Sequence, residues 1–166
     1  MATTVSFGVD SPQGPRTVSV AYKRTGSGEP LLLLHGIGQH RQAWDPVLPV
    51  LAVERDVTAV DLPGFGASSA LPDGVPHDLA SMVPVLGAFC EELGLDRPHV
   101  TGNSLGGLLA LELGREKLVR SVTALSPAGF WTQSEWRHAF SCRAPRQEWP
   151  CGHWATSAPC PPRTER

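Results

Sequence analysis

The 166-residue sequence lacks an excess of charge of either sign, and it lacks any long apolar run. Fourteen Lys and Arg stand against sixteen Asp and Glu, a formal net charge of −2. Because no basic field attracts polyanions, we predict no nucleic-acid partner. No stretch approaches the roughly 20 apolar residues that cross a bilayer. The opening residues, MATTVSFGVD, lack the basic start and apolar run of a signal peptide. We therefore predict a cytoplasmic protein with no membrane association.

The last 26 residues, 141–166, contain no Val, Ile, Leu or Met, so they cannot supply a core strand or an amphipathic helix. One interpretation is a small metal or disulfide module built on Cys142, Cys151, His153 and Cys160. The cysteines lie nine residues apart, however, without the Cys-x-x-Cys pairs of structural zinc sites. We favour a disordered terminus with incidental cysteines, and we predict no metal site and no cofactor.

Before this tail, short apolar segments indicate strands. One segment alternates apolar and polar residues, which predicts a half-exposed antiparallel strand. Others are continuous apolar runs, which are typical of strands buried on both faces. The predicted strands are centred on 18–22, 31–34, 57–60, 99–101 and 119–125.

Helical spacing of apolar residues over 79–93 predicts a helix whose N-cap is Asp78 or Ser81. Proline is tolerated only in the first turn, so Pro84 favours Ser81. On the apolar face of this helix, Cys90 is interpreted as a small core residue and not as a reactive thiol.

A second helix is predicted from Leu105 to Gly114 or Lys117, directly after the strand at 99–101. Strands that alternate with helices imply parallel pairing through right-handed crossovers. The predicted fold is therefore α/β, with three αβα layers around a mostly parallel sheet. Chemistry in such sheets lies at the carboxyl ends of the strands. Three glycine-bearing loops are expected there, at 35–38, 61–66 and 102–107.

The loop Gly102-x-Ser104-x-Gly106 fits a nucleophile elbow, in which a serine on a strained turn stands clear of the sheet. Glycines are needed where the backbone doubles back, because side chains would clash. The alternatives are an ordinary strand-to-helix turn or a phosphate-binding loop. A phosphate loop is disfavoured because neither Gly-Lys-Ser/Thr nor a third glycine at dinucleotide spacing is present.

Acyl transfer also needs N–H donors for the oxyanion that forms on the attacked carbonyl. The amide of Leu105 is one candidate, since it opens a helix whose dipole adds positive potential. The loop at 35–38 is expected to supply the second, with the Ile37 N–H as the best candidate. Because His35 ends a buried strand, we interpret it as a brace for this loop and not as a mobile base.

Residues 17–140 resemble the amino-terminal half of an α/β-hydrolase of the esterase, lipase, haloperoxidase and carbon–carbon bond hydrolase type. The motifs that carry the resemblance, in the family's order, are His35-Gly36-Ile37-Gly38, Asp61-Leu62-Pro63-Gly64-Phe65-Gly66 and Gly102-Asn103-Ser104-Leu105-Gly106-Gly107. The resemblance implies a cap region that begins within 130–140 and a small-molecule acyl substrate. It also implies that Ser104 is the nucleophile and that the Ile37 and Leu105 amides form the oxyanion hole. The residues taken to support the loops are His35, Gly36, Gly38, Gly102 and Gly106. A serine in place of an aspartate disfavours epoxide hydrolases and haloalkane dehalogenases.

The family's triad runs in the order serine, acid, histidine. Every aspartate in this chain precedes Ser104, and no later glutamate follows a strand signal. The later histidines are His138 and His153. The segment 151–155, CGHWA, resembles the catalytic-histidine segment of carbon–carbon bond hydrolases, which would make His153 the general base. It lacks the strand that would hold a base within hydrogen-bond reach.

We therefore expect a truncated α/β-hydrolase core at 17–140 and an aberrant tail at 141–166. A frame shift near residue 140 is our hypothesis for the origin of this tail. The sheet is expected to be incomplete at its C-terminal edge, so that the strand at 119–125 could support self-association. The predicted function is hydrolysis of an ester, thioester or related acyl substrate through Ser104, with weak or no turnover. The alternatives are an active hydrolase that uses His153 and a non-catalytic protein that binds or pairs through its open edge.

Overall fold

A computed structural model describes residues 3–11 and 14–130 of the chain. The elements named here lie in the first of the two units into which the chain divides, Met1–Ala128. The strands are β1 (Thr3–Val9), β2 (Arg16–Thr25), β3 (Glu29–Leu34), β4 (Arg55–Val60), β5 (His99–Asn103) and β6 (Ser121–Leu125). The helices are a 3₁₀-helix (Arg41–Trp44), α1 (Leu48–Leu51), α2 (Leu79–Glu92) and α3 (Leu105–Arg115).

The six strands form one sheet in the order β1-β2-β4-β3-β5-β6. Strand β2 pairs antiparallel with β1 and β4, whereas β3 pairs parallel with β4 and β5, and β5 pairs parallel with β6. This confirms the mostly parallel sheet and the antiparallel β2 that the sequence predicts. Strand β1 was not predicted, although Val5, Phe7 and Val9 alternate with exposed neighbours.

Helices cover both faces of the sheet, which confirms the three layers. On one face, Leu33 of β3 and Ala59 of β4 belong to an apolar cluster with Leu48 of α1. On the other face, the Phe89 ring of α2 packs with its centroid 5.7 Å from that of Tyr22. The last four side chains of β3 and of β4 alternate between the two faces and are buried, which explains why the segments 31–34 and 57–60 read as continuous apolar runs.

Helix α2 begins one turn earlier than the sequence favoured. Its N-cap is Asp78, whose carboxylate accepts a 2.9 Å hydrogen bond from the Ser81 N–H, so the preference for Ser81 was wrong. Pro84 lies inside the helix, which tolerates the missing donor at this one position. The interpretation of Cys90 as a core residue is confirmed: the thiol is buried, and burial raises its pKa to about 12.

Strand β6 pairs only with β5 among the described residues, so it forms one edge of this sheet. Alternate residues of β6 are exposed. The predicted domain boundary at 140 and the predicted tail at 141–166 lie outside the described residues. Within the described ranges, no helix is both long enough and apolar enough to cross a membrane.

Candidate active site

Two of the predicted loops meet because β3 and β5 are neighbours in the sheet. Leu34, the last residue of β3, is in register with Gly102 of β5. The chain therefore leaves both strands at the same edge, and the loop 35–40 lies beside the turn at Ser104. A Cβ atom placed on Gly36 would lie 3.3 Å from the Ser104 Cβ, so the two loops are in direct contact.

Ser104 joins β5 to α3 in a backbone conformation that residues other than glycine seldom adopt, with φ 52° and ψ −112°. Hydrogen bonds hold this turn in place: the Ser104 N–H donates to the Leu125 carbonyl at 3.0 Å, and the Ser104 carbonyl accepts from the Ala128 N–H at 3.0 Å. Such strain persists only where the surroundings fix it, and it is concentrated at active sites. No described residue forms a hydrogen bond with the Ser104 hydroxyl, which leaves it available to a substrate or a base.

The glycines that flank Ser104 are required by close packing. A Cβ on Gly102 would overlap the Gly106 carbonyl, and a Cβ on Gly106 would overlap the carbonyl of Leu34. These contacts let the start of α3 approach the ends of β3 and β5 without intervening side chains. The G-x-S-x-G spacing thus corresponds to a sharp strand-to-helix turn whose geometry excludes larger residues.

Two backbone N–H groups near this contact have no hydrogen-bond acceptor among the described residues, one directly after Ser104 and one in the loop 35–40. The Leu105 N–H opens α3, where it has no intrahelical acceptor and lies at the positive end of the helix dipole. The Ile37 N–H lies in the contacting loop, whose next residue, Gly38, has φ 71°. Neither N–H donates a hydrogen bond to any other described residue. The arrangement can therefore offer two donors to a charge that develops next to the Ser104 hydroxyl.

His35 is fully buried and connects the loop after β3 to the loop after β4. Its Nδ1 donates to the Gly36 carbonyl at 2.7 Å, and its Nε2 accepts from the Leu62 N–H at 3.0 Å. These partners require a neutral ring with the proton on Nδ1. Burial lowers the pKa of His35, which favours the same neutral ring. The ring also packs edge-on against Phe65, at 5.6 Å between centroids.

The buried His35 ring predicts a loss of stability in mild acid. In the unfolded chain His35 takes up a proton near pH 6.5, whereas the folded ring resists it to lower pH. Its contribution to stability is therefore complete above about pH 6.5 and declines as the pH falls below that value. We expect the free energy of unfolding in urea to decrease between about pH 7.5 and about pH 5.5, and to decrease less in His35→Gln. Equal decreases in both proteins would contradict this role.

Asp61 is a buried carboxylate to which the sequence analysis assigned no role of its own. It accepts hydrogen bonds from the Arg41 N–H at 2.6 Å and from the Ala67 N–H at 2.9 Å, and it forms an ion pair with the Arg41 guanidinium. Gly66, with φ 56°, lets the chain pass close over this carboxylate. The signal in the sequence is an aspartate directly after a buried strand. Asp61 fixes the segment that follows the loop 35–40.

The candidate base lies outside the described residues, and the sequence offered no candidate for the triad acid. His138 and His153 lie outside those residues, as do Cys142, Cys151 and Cys160. In the described part of the chain, no group of three or more His, Cys, Asp or Glu side chains is placed to hold a metal ion. The structure brings Gly36 into contact with Ser104, which lies between Gly102 and the start of α3 at Leu105. The other predicted residues lie nearby in the chain: His35, Ile37 and Gly38 in the loop after β3, and Gly106 in the first turn of α3.

Comparison with known proteins agrees with this fold. A family model described as alpha/beta hydrolase fold matches residues 29–154. The chain is 37% identical over 122 residues to a pimeloyl-[acyl-carrier protein] methyl ester esterase of Aeromonas hydrophila, covering 72% of this chain and 46% of the relative. It is 39% identical over 116 residues to the dihydrolipoyllysine-residue acetyltransferase component of the acetoin cleaving system of Cupriavidus necator, covering 68% of this chain and 30% of that protein.

Among solved structures, a thermophilic esterase from Thermogutta terrifontis is 27% identical, with a TM-score of 0.68. The match covers 82% of this chain and 50% of the esterase. The chain spans less than half the length of the two curated relatives named above.

Proposed function

The chain belongs to the alpha/beta hydrolase fold family, and on that premise we propose that Ser104 is the nucleophile of an acyl-transfer site that acts on an ester or thioester. The backbone conformation of Ser104 carries the proposal. A strained, non-glycine turn between β5 and α3 presents a hydroxyl with no described partner, next to the Leu105 N–H and in contact with the loop that carries the Ile37 N–H. An ordinary strand-to-helix turn has no need of this combination.

In the proposed reaction the Ser104 Oγ attacks the carbonyl carbon of the substrate, and the serine proton passes to a base. The carbonyl oxygen becomes an oxyanion that accepts hydrogen bonds from the Leu105 and Ile37 N–H groups. Collapse of the intermediate breaks the bond to the leaving alcohol or thiol, which takes the proton from the base, and leaves an acyl-serine. Water then attacks this acyl-serine by the same route and releases the acid.

An ester is the substrate class that the comparisons favour. A methyl ester esterase and a structurally similar esterase are among the proteins that resemble this chain. The cytoplasmic location and the absence of a nucleic-acid partner stay predictions from the sequence.

His153 stays the alternative candidate for the base that the sequence offers, and a fluorophosphonate probe with mass spectrometry tests this role. The probe forms a covalent bond with an activated serine, so we expect a phosphonylated peptide that contains Ser104. If His153 is the base, labelling falls by about 10²-fold or more in His153→Ala. His138→Ala is the matched control and should be labelled at the wild-type rate. Equal labelling of both variants would exclude His153 and leave Ser104 without an assigned base.

The second candidate function is pairing through the edge of the sheet. It is favoured by one observation: β6 has a strand neighbour on one side only among the described residues. Self-association through this edge should appear in sedimentation velocity as a dimer whose fraction rises with concentration. It should weaken in Leu125→Lys, which places a charge on the edge strand. A monomer at all concentrations would exclude this pairing.

A further inference from the structure

Gln39 lies at the contact between the loop after β3 and Ser104. Its side-chain oxygen would lie 3.1 Å from a Cβ placed on Gly36, and the same point is 3.2 Å from the Asn103 side-chain oxygen. The Ser104 Cβ would lie 3.3 Å from the same Gly36 Cβ position. Although Gln39 is exposed, its carboxamide therefore reaches the immediate surroundings of the proposed nucleophile.

Three hydrogen bonds converge on Gly36, and Gln39 supplies two of them. The Gly36 N–H donates to the Gln39 Oε1 at 3.2 Å, and the Gln39 N–H donates to the Gly36 carbonyl at 3.2 Å. The third is the bond from His35 Nδ1 to the same carbonyl, at 2.7 Å. Both polar groups of Gly36 are thus held within the loop.

The two bonds to the Gly36 carbonyl determine the direction of the Ile37 N–H, and the bond from the Gly36 N–H to the Gln39 Oε1 holds the preceding peptide. The Gly36 carbonyl and the Ile37 N–H belong to one peptide unit, and the described residues contain no cis peptide bond. In a trans peptide the N–H points opposite to the carbonyl. Because the carbonyl points toward the His35 ring and the Gln39 N–H, the Ile37 N–H points away from both. A rotated peptide would present the carbonyl oxygen where a donor is needed.

Gln39 also decides which N–H of the loop remains available. Gly36 and Ile37 carry adjacent N–H groups. Without the Gln39 Oε1, the Gly36 N–H would bind water, or the loop would rotate until this N–H found another acceptor. With the Gln39 Oε1 bound to the Gly36 N–H, the next N–H along the loop, that of Ile37, has no hydrogen-bond partner among the described residues. The carboxamide acts on a backbone group, without itself being placed at the reacting atoms.

We propose that Gln39 is a positioning residue of the acyl-transfer site: its carboxamide holds the Gly36 N–H and so supports the loop conformation in which the Gln39 N–H and the His35 ring orient the Gly36–Ile37 peptide, with the Ile37 N–H presented to the oxyanion. The inference rests on the proposed function of Ser104. It predicts that loss of the Gln39 carboxamide slows bond formation at Ser104 more than it weakens binding of the reagent. Full loss of an oxyanion donor costs about 10² to 10³-fold in rate. Loss of the Gln39 carboxamide, which leaves the donor present but misdirected part of the time, should cost about tenfold or more.

The test uses Gln39→Met, which keeps the length of the side chain but removes its amide oxygen, and Gln39→Glu, which keeps an acceptor. Gln42→Met, an exposed glutamine three residues further on, is the matched control. Rates of fluorophosphonate labelling as a function of reagent concentration give kinact and KI separately. We expect kinact to fall about tenfold in Gln39→Met with little change in KI, and no change in Gln42→Met.

Amide hydrogen exchange read by NMR gives a second measurement that requires no activity. The Gly36 amide should exchange faster in Gln39→Met than in the wild type, and Gln39→Glu should restore its protection. Wild-type labelling together with an unchanged kinact in Gln39→Met would overturn the inference alone, as would unchanged Gly36 exchange. Absence of any labelling in the wild type would refute the proposed function and this inference with it.

Discussion

Replacing Ser104 with alanine is expected to abolish fluorophosphonate labelling and any ester hydrolysis, while the chain remains folded. The hydroxyl has no described hydrogen-bond partner, so its removal leaves no buried polar group unsatisfied. In a serine hydrolase with a complete triad, loss of the nucleophile lowers kcat by about 10⁶-fold. The loss here should be complete within detection, as read by mass spectrometry of the labelled chain and by release of p-nitrophenol from p-nitrophenyl acetate.

The strained backbone at Ser104 should also lower the free energy of unfolding of the chain. With φ at 52°, Ser104 is strained, and glycine at this position relieves that strain. We expect Ser104→Gly to raise the free energy of unfolding by about 1 kcal/mol over Ser104→Ala. Ser126→Ala is the matched control, since Ser126 is an exposed serine with φ 43°. It should retain full labelling. Continued labelling of Ser104→Ala would refute the assignment of the nucleophile.

Replacing Gly106 with alanine is expected to lower the free energy of unfolding by about 3 kcal/mol or more. The added methyl group would overlap the backbone carbonyl of Leu34, which cannot rotate away as a flexible side chain could. Relief requires that α3 move away from the end of β3, and this movement also separates the Leu105 N–H from the loop at Ile37. Labelling of Ser104 should therefore fall together with stability.

Gly8→Ala is the control for this substitution. Gly8 lies in β1, and a Cβ there would meet no heavy atom within 4 Å. Urea unfolding should show little change or a small gain in stability for Gly8→Ala, because alanine has less conformational freedom to lose on folding. A Gly106→Ala protein as stable as Gly8→Ala would contradict the close packing of the turn.

The parts of the fold that sequence reasoning reached are those governed by local pattern. Continuous apolar residues in β3 and β4 indicate burial on both faces, and the structure confirms it. The N-cap of α2 was predicted wrongly, because proline was expected only in the first helical turn and Pro84 therefore favoured Ser81. The helix in fact begins after Asp78 and tolerates the one backbone donor that Pro84 lacks. Strand β1 was not predicted although its apolar and polar residues alternate, since no motif beside it indicated a strand.

The contacts that orient the site could not be predicted, because they join residues that the fold alone brings together. Asp61 binds Arg41 across 20 positions of the chain, and His35 reaches the Leu62 N–H across 27. The bond between Gln39 and Gly36 is local, yet its relevance depends on Ser104 arriving beside it from β5. The G-x-S-x-G motif locates Ser104 in the sequence. The direction of the Ile37 N–H depends on the hydrogen bonds of the loop after β3, which the motif does not indicate.

The decisive measurement is a crystal structure of the chain after reaction with a fluorophosphonate. We expect the phosphorus to be bonded to the Ser104 Oγ. We also expect a phosphoryl oxygen about 2.7–3.1 Å from both the Leu105 and the Ile37 nitrogen atoms. An adduct on another residue, or an adduct on Ser104 whose phosphoryl oxygen faces solvent or the Gly36 N–H, would contradict the proposed site.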